Sequence, residues 1–547
     1  MPQKLKELLD NRWFWGFLIL LMLALVAGNV SRCSRNRNKI YPDTKGGRWA
    51  KMLLVMDQIE KNYVDSISYS QVMEKAIPSL LQGLDPHSVY LPPVDLEQAE
   101  EPLVGNFSGI GIEFNVPNDT AVVINVIPGG PSQRSGLLSG DRIVTVDSRN
   151  VAGVKFPQDS LMRLLRGPKD SKVNVGIKRN GEADLIHFEI KRGLIPVHSI
   201  DAAFMLTPTL GYIKIASFSL STYQEFVMSA FKLSEQGMTS LLLDLRDNPG
   251  GFLDQAYKLA NEFLDKGDMV VYMEGRKRPR EDFIADGRGR LKSVRLYVAI
   301  NENSASSSEI FAGAIQDNDR GTIIGRRSFG KGLVQEPVYF SDSSGIRLTV
   351  ARFYTPSGRC IQKPYTDDYN YDILERYQRG EMQSADSIRV NDSLKFTTAH
   401  GHTVYGGGGI IPDVFVPIDT AGVTDFLVKV NRRSLQMKFS SMFADRHRAQ
   451  LQEITTIEGL DNLFANEDIA LQFRLFAASE GVRASQWEWA QSGNLLTLQL
   501  KGLIGRYSAM KEDAFYTYIL QTDNVTEKAI ALEKEVSSSN QNNRSEQ

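Results

Sequence analysis

The chain has 547 residues, more than one hydrophobic core normally holds, so three or four structural units are expected. Hydrophobic content of 42% and charged content of 23% are those of a globular protein, and a net charge of −2 excludes a general nucleic-acid binder. Cys33 and Cys360 are too few for a disulfide framework and read as free thiols. No Cys/His cluster has metal-ligand spacing, so neither metal nor cofactor is expected.

Trp13 to Val30 is apolar almost throughout, near the ~20 residues that span a bilayer, with Trp13 and Trp15 suited to its interface. No small-x-small cleavage site is evident, and Val-Ser-Arg before Cys33 is not a lipidation box, so an uncleaved single-pass anchor is expected. Lys4, Lys6 and Arg12 precede the segment and Arg32, Arg35, Arg37 and Lys39 follow it, so charge alone leaves its orientation open. Ser31 to Gly47 is polar and basic with Pro42, Gly46 and Gly47, and reads as a linker that completes an anchor unit at 1–48.

Leu53, Met56, Ile59 and Tyr63 recur at helical spacing, and Val72, Ala76, Ser79 and Leu80 predict a second helix, within a helical segment at 49–104. Leu84-Asp85-Pro86-His87-Ser88 then breaks into a turn, and Pro92-Pro93 marks a boundary. His87 is read as stabilising that turn, with a catalytic histidine as the alternative.

Short strands follow at Gly111–Asn115, Val122–Ile127, Arg142–Val146 and Lys172–Arg179. The first is entered through Ser108-Gly109-Ile110-Gly111-Ile112. Ile127-Pro128-Gly129-Gly130-Pro131, Ser135-Gly136-Leu137 and Gly140-Asp141-Arg142-Ile143 come after it. Together these motifs resemble a PDZ domain, here at 105–193. The resemblance makes Gly109, Ile110, Gly111 and Ile112 the loop that binds a peptide carboxylate. Glycines let successive N–H groups converge on an anion, and a free strand edge pairs with an extended peptide. The competing view is a glycine bulge in an ordinary β domain.

From Gly211 strand, turn and helix alternate, which predicts an α/β core. Leu241–Leu245 is a buried strand ending in Arg246-Asp247-Asn248-Pro249-Gly250-Gly251, with a helix expected to Leu264. Val294–Ile300 leads into Ser304-Ala305-Ser306-Ser307-Ser308-Glu309 and a helix to Asp317. Gly321–Gly325 and Ile346–Phe353 are further strands. After Pro417, Ser434–His447, Asp468–Ser479 and Glu512–Leu532 read as amphipathic helices. The chain from Ser537 is polar enough to be called disordered.

The serine segment offers four hydroxyls, and composition does not choose among them. At a helix start beyond a strand its N–H groups are unpaired and favour a negative oxygen. An N-capping cluster without chemistry is the plain alternative. Lys331 lies between Gly330 and Gly332, which let the backbone turn its side chain inward, where burial lowers its pKa. A surface lysine is the plain alternative. Gln335 stands four residues on, on the same face if this stretch is helical. Ser328-Phe329-Gly330-Lys331 also fits a Ser-x-x-Lys pattern that would make Ser328 the nucleophile, but the glycines argue for a loop and companion motifs are not evident.

The ordered set of motifs from Trp49 to Val416 resembles the carboxy-terminal processing protease family of Ser–Lys peptidases. It comprises Leu84–Ser88, the PDZ pattern, Asp244–Gly251, the serine segment, Ser328–Gly332, Tyr354–Gly358 and Gly409–Asp413. The resemblance implies Ser306 as nucleophile, Lys331 as base and Gln335 to orient it. The oxyanion donors are the N–H groups of Gly251 and Ser307, the latter an alanine in many relatives. Asp317 is read as structural, with a cation nearby.

The implied fold is α/β. A crotonase-like protease core at 194–418 carries the inserted mainly-β PDZ domain, with a helical C-terminal domain at 419–536, a disordered tail at 537–547 and the N-terminal transmembrane helix. The implied activity is a membrane-anchored serine endopeptidase acting on proteins or peptides with free C-termini. By the same resemblance it sits in a bacterial inner membrane with its large domain periplasmic. A homo-oligomer or an activating partner is compatible with the chain, which specifies neither. A catalytically inactive PDZ scaffold or a carrier on the same core is the rival of a different class, and the intact serine, lysine and glutamine argue against it.

Overall fold

The computed structural model describes residues 45–116, 119–365 and 369–545, together with Gly16, Leu20 and Met22. The expected span Trp13–Val30 and Cys33 otherwise lie outside the described residues. Among those described, no helix is long and apolar enough to cross a membrane.

The chain divides into two units, 1–84 and 85–547. In the first, helices run over Lys45–Asn62 and Tyr69–Gln82. The first starts ahead of the expected boundary at 49 and takes in Gly46 and Gly47. Glycine costs a helix about 1 kcal/mol, which the following turns can absorb.

The second unit opens with the turn at Asp85 and a helix over Pro93–Val104, with Pro93 at its first position and Gly105 closing it at φ 79°. A two-stranded stem, Asn106–Gly109 antiparallel to Gly193–Pro196, then leads into the β domain and out of it. The expected boundary at 193 therefore cuts a strand. Pairing, which local composition does not reveal, carries the exit to Pro196. The domain's sheet runs Ile112–Asn115, Ala121–Val126, Arg142–Val146, Lys172–Lys178 and Ile186–Lys191, all antiparallel, with Ile112–Asn115 at its edge. Val123, Ile143, Val175 and Ile177 fill its core beneath Leu161 and Leu165 of the helix Gln158–Leu165.

The central sheet has six strands in chain order: β1 (Ile200–Met205), β2 (Leu210–Ile215), β3 (Ser240–Asp244), β4 (Arg295–Ile300), β5 (Thr322–Gly325) and β6 (Val414–Phe415). Only β1 and β2 pair antiparallel. Helices α1 (Thr222–Glu235), α2 (Leu253–Asn261) and α3 (Ser307–Asp317) contribute to the core on one face. On β3, Leu241 and Leu243 join that core, while Leu242 joins a second cluster with Val525 and Ala529 of the C-terminal helix. Burial on both faces is why these strands read as unbroken apolar runs. A five-stranded antiparallel sheet adds Leu333–Tyr339 and Gly345–Tyr354, and its partner strands include Val89–Leu91.

Beyond residue 424 the chain is helical around a core that includes Phe439, Phe443, Phe464 and Phe473. The helix expected over Glu512–Leu532 is two, Glu512–Ile519 and Asn524–Ser545. Asp523 is extended between them, and its carboxylate accepts the Thr526 N–H at 2.7 Å, ending one helix and starting the next. The second runs to Ser545, so most of the tail expected to be disordered is helical. Extending an existing helix costs far less than nucleating one, and no glycine or proline interrupts this stretch.

Candidate active site

Helix α3 starts just past the end of β4, and all of its residues are buried. Ser306, immediately before it, has φ 55° and ψ −113°, a strained conformation for a residue with a Cβ. Accessibility separates the four hydroxyls. Ser304 donates to Leu245 O at 2.8 Å, Ser307 to Gly251 O at 2.8 Å and Ser308 to Asn248 O at 3.0 Å, and all three are buried. Ser306 is the one of the four that is half-buried rather than buried.

Glu309, fully buried, joins two loops. Its Oε2 accepts the N–H of Ser306 at 2.9 Å and that of Lys331 at 2.9 Å. Its Oε1 accepts the Gly330 N–H at 2.7 Å and the Ser328 hydroxyl at 2.5 Å. Burial pushes this carboxyl up, and the four donors work against that shift. The sequence alone assigns Glu309 no role. The Ser306-x-x-Glu309 spacing of a capping box was the signal available for it.

Gly330 at φ 90° and Gly332 allow close approach. A Cβ on Gly332 would lie 2.9 Å from the Gln362 N. Lys331 is half-buried and its Nζ donates to Gln335 Oε1 at 3.0 Å. Burial pushes its pKa down, the charge of Arg347 adds to this, and Glu309 and Asp85 oppose it. The pair does not share a helix face: Lys331 lies in a loop and Gln335 on the strand Leu333–Tyr339, just after a bulge at Val334. The Gln335 amide also donates to His87 O. Ser328, the local rival, is fully buried, and its hydroxyl accepts the Ile410 N–H at 2.6 Å besides donating to Glu309.

The turn after β3 abuts the serine segment. Asn248 Oδ1 accepts the Gly250 N–H at 2.9 Å, and Asn248 O accepts the Ala305 N–H at 3.0 Å. A Cβ on Gly250 would stand 2.7 Å from Ser306 Cβ and 2.9 Å from Ser307 N. Gly251 has φ 147°, and a Cβ there would run into Phe218 O. The bridge to Phe218 uses Gly250 O and the Phe252 N–H, not the Gly251 N–H. At the first position of α3, Ser307 has no acceptor for its N–H within the helix. Beneath the turn, burial opposes the charge of Asp244, but Arg246 and Lys214 outweigh it and hold the carboxyl far below its ordinary value. Arg246 reaches on to Asp523 at 2.6 Å.

Asp317, at the far end of α3, does have a cation: Arg359 lies 2.6 Å away and neither side chain is exposed. The Thr355 hydroxyl donates to the same carboxylate, and Ser357 donates to it at 2.6 Å. In the β domain, Gly109, Ile110, Gly111 and Ile112 form one turn into the edge strand. Gly111 has φ 77° and its carbonyl accepts the Ile127 N–H at 3.1 Å, while Ile110 O accepts the Ser132 N–H at 2.9 Å.

Family models match in three places: peptidase family S41 over residues 209–371, a PDZ domain over 108–190 and a family of unknown function (DUF8443) over 426–510. A serine-type peptidase joined to a PDZ domain is the class these matches define. The carboxy-terminal processing protease CtpA of Bacillus subtilis is 30% identical over 352 residues, 63% of this chain and 74% of that protein. A carboxy-terminal-processing protease of Bartonella bacilliformis is 33% identical over 349 residues, 63% of this chain and 78% of its own. The solved photosystem II D1 C-terminal processing protease is 28% identical, covering 66% of this chain and 86% of that one, at a TM-score of 0.35. This chain belongs to peptidase family S41, as a serine-type carboxy-terminal processing peptidase.

Proposed function

We propose that the chain cleaves polypeptides near their C-termini with Ser306 as nucleophile and Lys331 as general base. The observation that carries this is the shared oxygen of Glu309, on which the N–H groups of both residues converge at 2.9 Å each. Neutral Lys331 takes the Ser306 proton as the hydroxyl attacks the peptide carbonyl, and Gln335 orients the amine. The N–H groups of Gly251 and Ser307 receive the oxyanion. The ammonium then returns the proton to the leaving amine, and water activated by the same lysine hydrolyses the ester. The loop Gly109–Ile112 takes the substrate's carboxylate while its chain adds to the edge strand Ile112–Asn115.

Anchoring through Trp13–Val30 in a bacterial inner membrane, with the large domain periplasmic, belongs to the same proposal. It is supported by the apolarity of that segment and by the family's work outside the cytoplasm. Fluorophosphonate labelling and peptide turnover test the chemistry. Ser306→Ala should lose both and keep its fold and peptide binding. Retained turnover in Ser306→Ala, with loss in Ser328→Ala, would move the nucleophile to the other serine. External protease added to spheroplasts should digest the large domain, and protection would reverse the orientation.

A further inference from the structure

We infer that the turn Asp85–Ser88 is a positioning element for the general base, fixing through the His87 carbonyl which end of the Gln335 amide faces Lys331. The inference rests on the Ser306–Lys331 reading and deepens it. A backbone carbonyl only accepts, so the Gln335 group that meets His87 O is its NH2, which leaves the oxygen for Lys331 Nζ at 3.0 Å. With the amide reversed, the NH2 would donate into the lone pair of neutral Lys331. That lone pair has to take the Ser306 proton. The His87 carbonyl keeps it unclaimed.

The carbonyl is itself held. Asp85 Oδ1 accepts the N–H groups of His87 and Ser88, each at 2.8 Å, and Oδ2 accepts the Ser88 hydroxyl at 2.7 Å. Thr349 closes the circuit. Its hydroxyl donates to Asp85 at 3.2 Å, its N–H donates to Ser88 Oγ at 3.1 Å, and it is the residue paired with Gln335 in the strand ladder. The turn is thus fastened to the same strand pair that carries Gln335. The His87 ring lies against Tyr369, with Nε2 2.5 Å from its hydroxyl. Burial, and then the charge of Lys331, push that imidazole down to about 4, so it stays neutral beside the lysine.

A double-mutant cycle on kcat, with KM read alongside, tests this in the full chain with a free-acid peptide. Asp85→Ala should lower kcat by about tenfold and leave KM within about twofold. Gln335→Ala should lose at least as much, and the double variant no more than Gln335→Ala alone, because both act through one amide. Asp85→Asn, which keeps an oxygen for the two N–H groups, should recover most of the loss. If Asp85→Ala does not fold, Ser88→Ala removes the hydroxyl that joins Asp85 Oδ2 to the Thr349 N–H, loosening the turn from the strand while the direct Thr349–Asp85 bond remains, and completes the same cycle. Additive losses, or a loss confined to KM, would overturn the inference and leave Lys331 as base. An active Lys331→Ala variant would overturn the underlying reading as well.

Discussion

Glu309→Gln changes one atom where the two loops of the site meet. The carboxylate serves two donors on each oxygen: Ser306 and Lys331 on one, Gly330 and Ser328 on the other. An amide has a single oxygen, so one pair must face an NH2. The cheaper orientation keeps the oxygen on Ser306 and Lys331 and turns the NH2 toward Ser328, whose hydroxyl can accept. The buried Gly330 N–H is then left unpaired, at about 1–3 kcal/mol. The bonds that survive also lose charge assistance, roughly half their strength. Relief from burying a charge offsets part of this, since burial already pushes Glu309 up. A net loss of about 2–4 kcal/mol is expected. Glu309→Ala orphans all four donors and opens a cavity, so it should cost more than about 4 kcal/mol. Thermal and urea midpoints give the stabilities, and the fluorophosphonate labelling rate of Ser306 reports the geometry of the site. Labelling should fall at least about tenfold in the glutamine variant, because small displacements of a reacting pair are costly. Wild-type midpoints with wild-type labelling in Glu309→Gln would refute the clamp, as would an alanine variant no worse than the glutamine one.

Lys331 must be neutral to act as base, and burial holds its pKa below the ordinary ~10.4, so activity should rise with pH through that lowered value and level off above it. Lys331→Arg should be inactive across the range, and substantial turnover in it would mean that positive charge alone suffices. Gly251→Ala should destabilise the turn and abolish turnover, since the new Cβ meets Phe218 O at a φ of 147°; a variant with normal kcat would remove Gly251 from the oxyanion site. Asp317→Asn should cost about 3–5 kcal/mol by leaving Arg359 buried without its counter-charge, measured as a urea midpoint shift, and an unchanged midpoint would show the pair to be dispensable. Amidating a substrate's C-terminus should weaken both binding and cleavage by removing the anion the Gly109–Ile112 loop would hold, and equal handling of the two peptides would deprive that loop of its role.

Much of this protein is legible in its residues because the relevant signals are local. Apolar runs placed β3 and β4 to within a residue or two, and glycines marked the turns after β3 and around Lys331. Asp at the end of α3 announced a cation without identifying Arg359, forty-two positions away. The break at Asp523 is not legible in the sequence because apolar spacing continues on both sides, and a single side-chain cap decides it. Four-residue spacing would place Gln335 beside Lys331 on a helix, whereas the structure joins them beside a bulge in a strand.

The chain by itself determined the residue types, their order and the alternation of elements, since propensity, patterning and turn chemistry act over a few residues. Which of four serines stays half-buried, and which carboxylate binds both loops, depended on contacts between segments far apart in sequence. Glu309 reaches Lys331 across twenty-two positions, and His87 reaches Gln335 across 248. The first contact forms only when the central sheet brings the end of β4 beside the loop after β5, and the second only when the strand Leu333–Tyr339 lies beside the turn at Asp85. No pattern along the chain encodes them, because the partners meet only in the folded chain, where the hydrogen bonds between them offset the cost of burying polar groups.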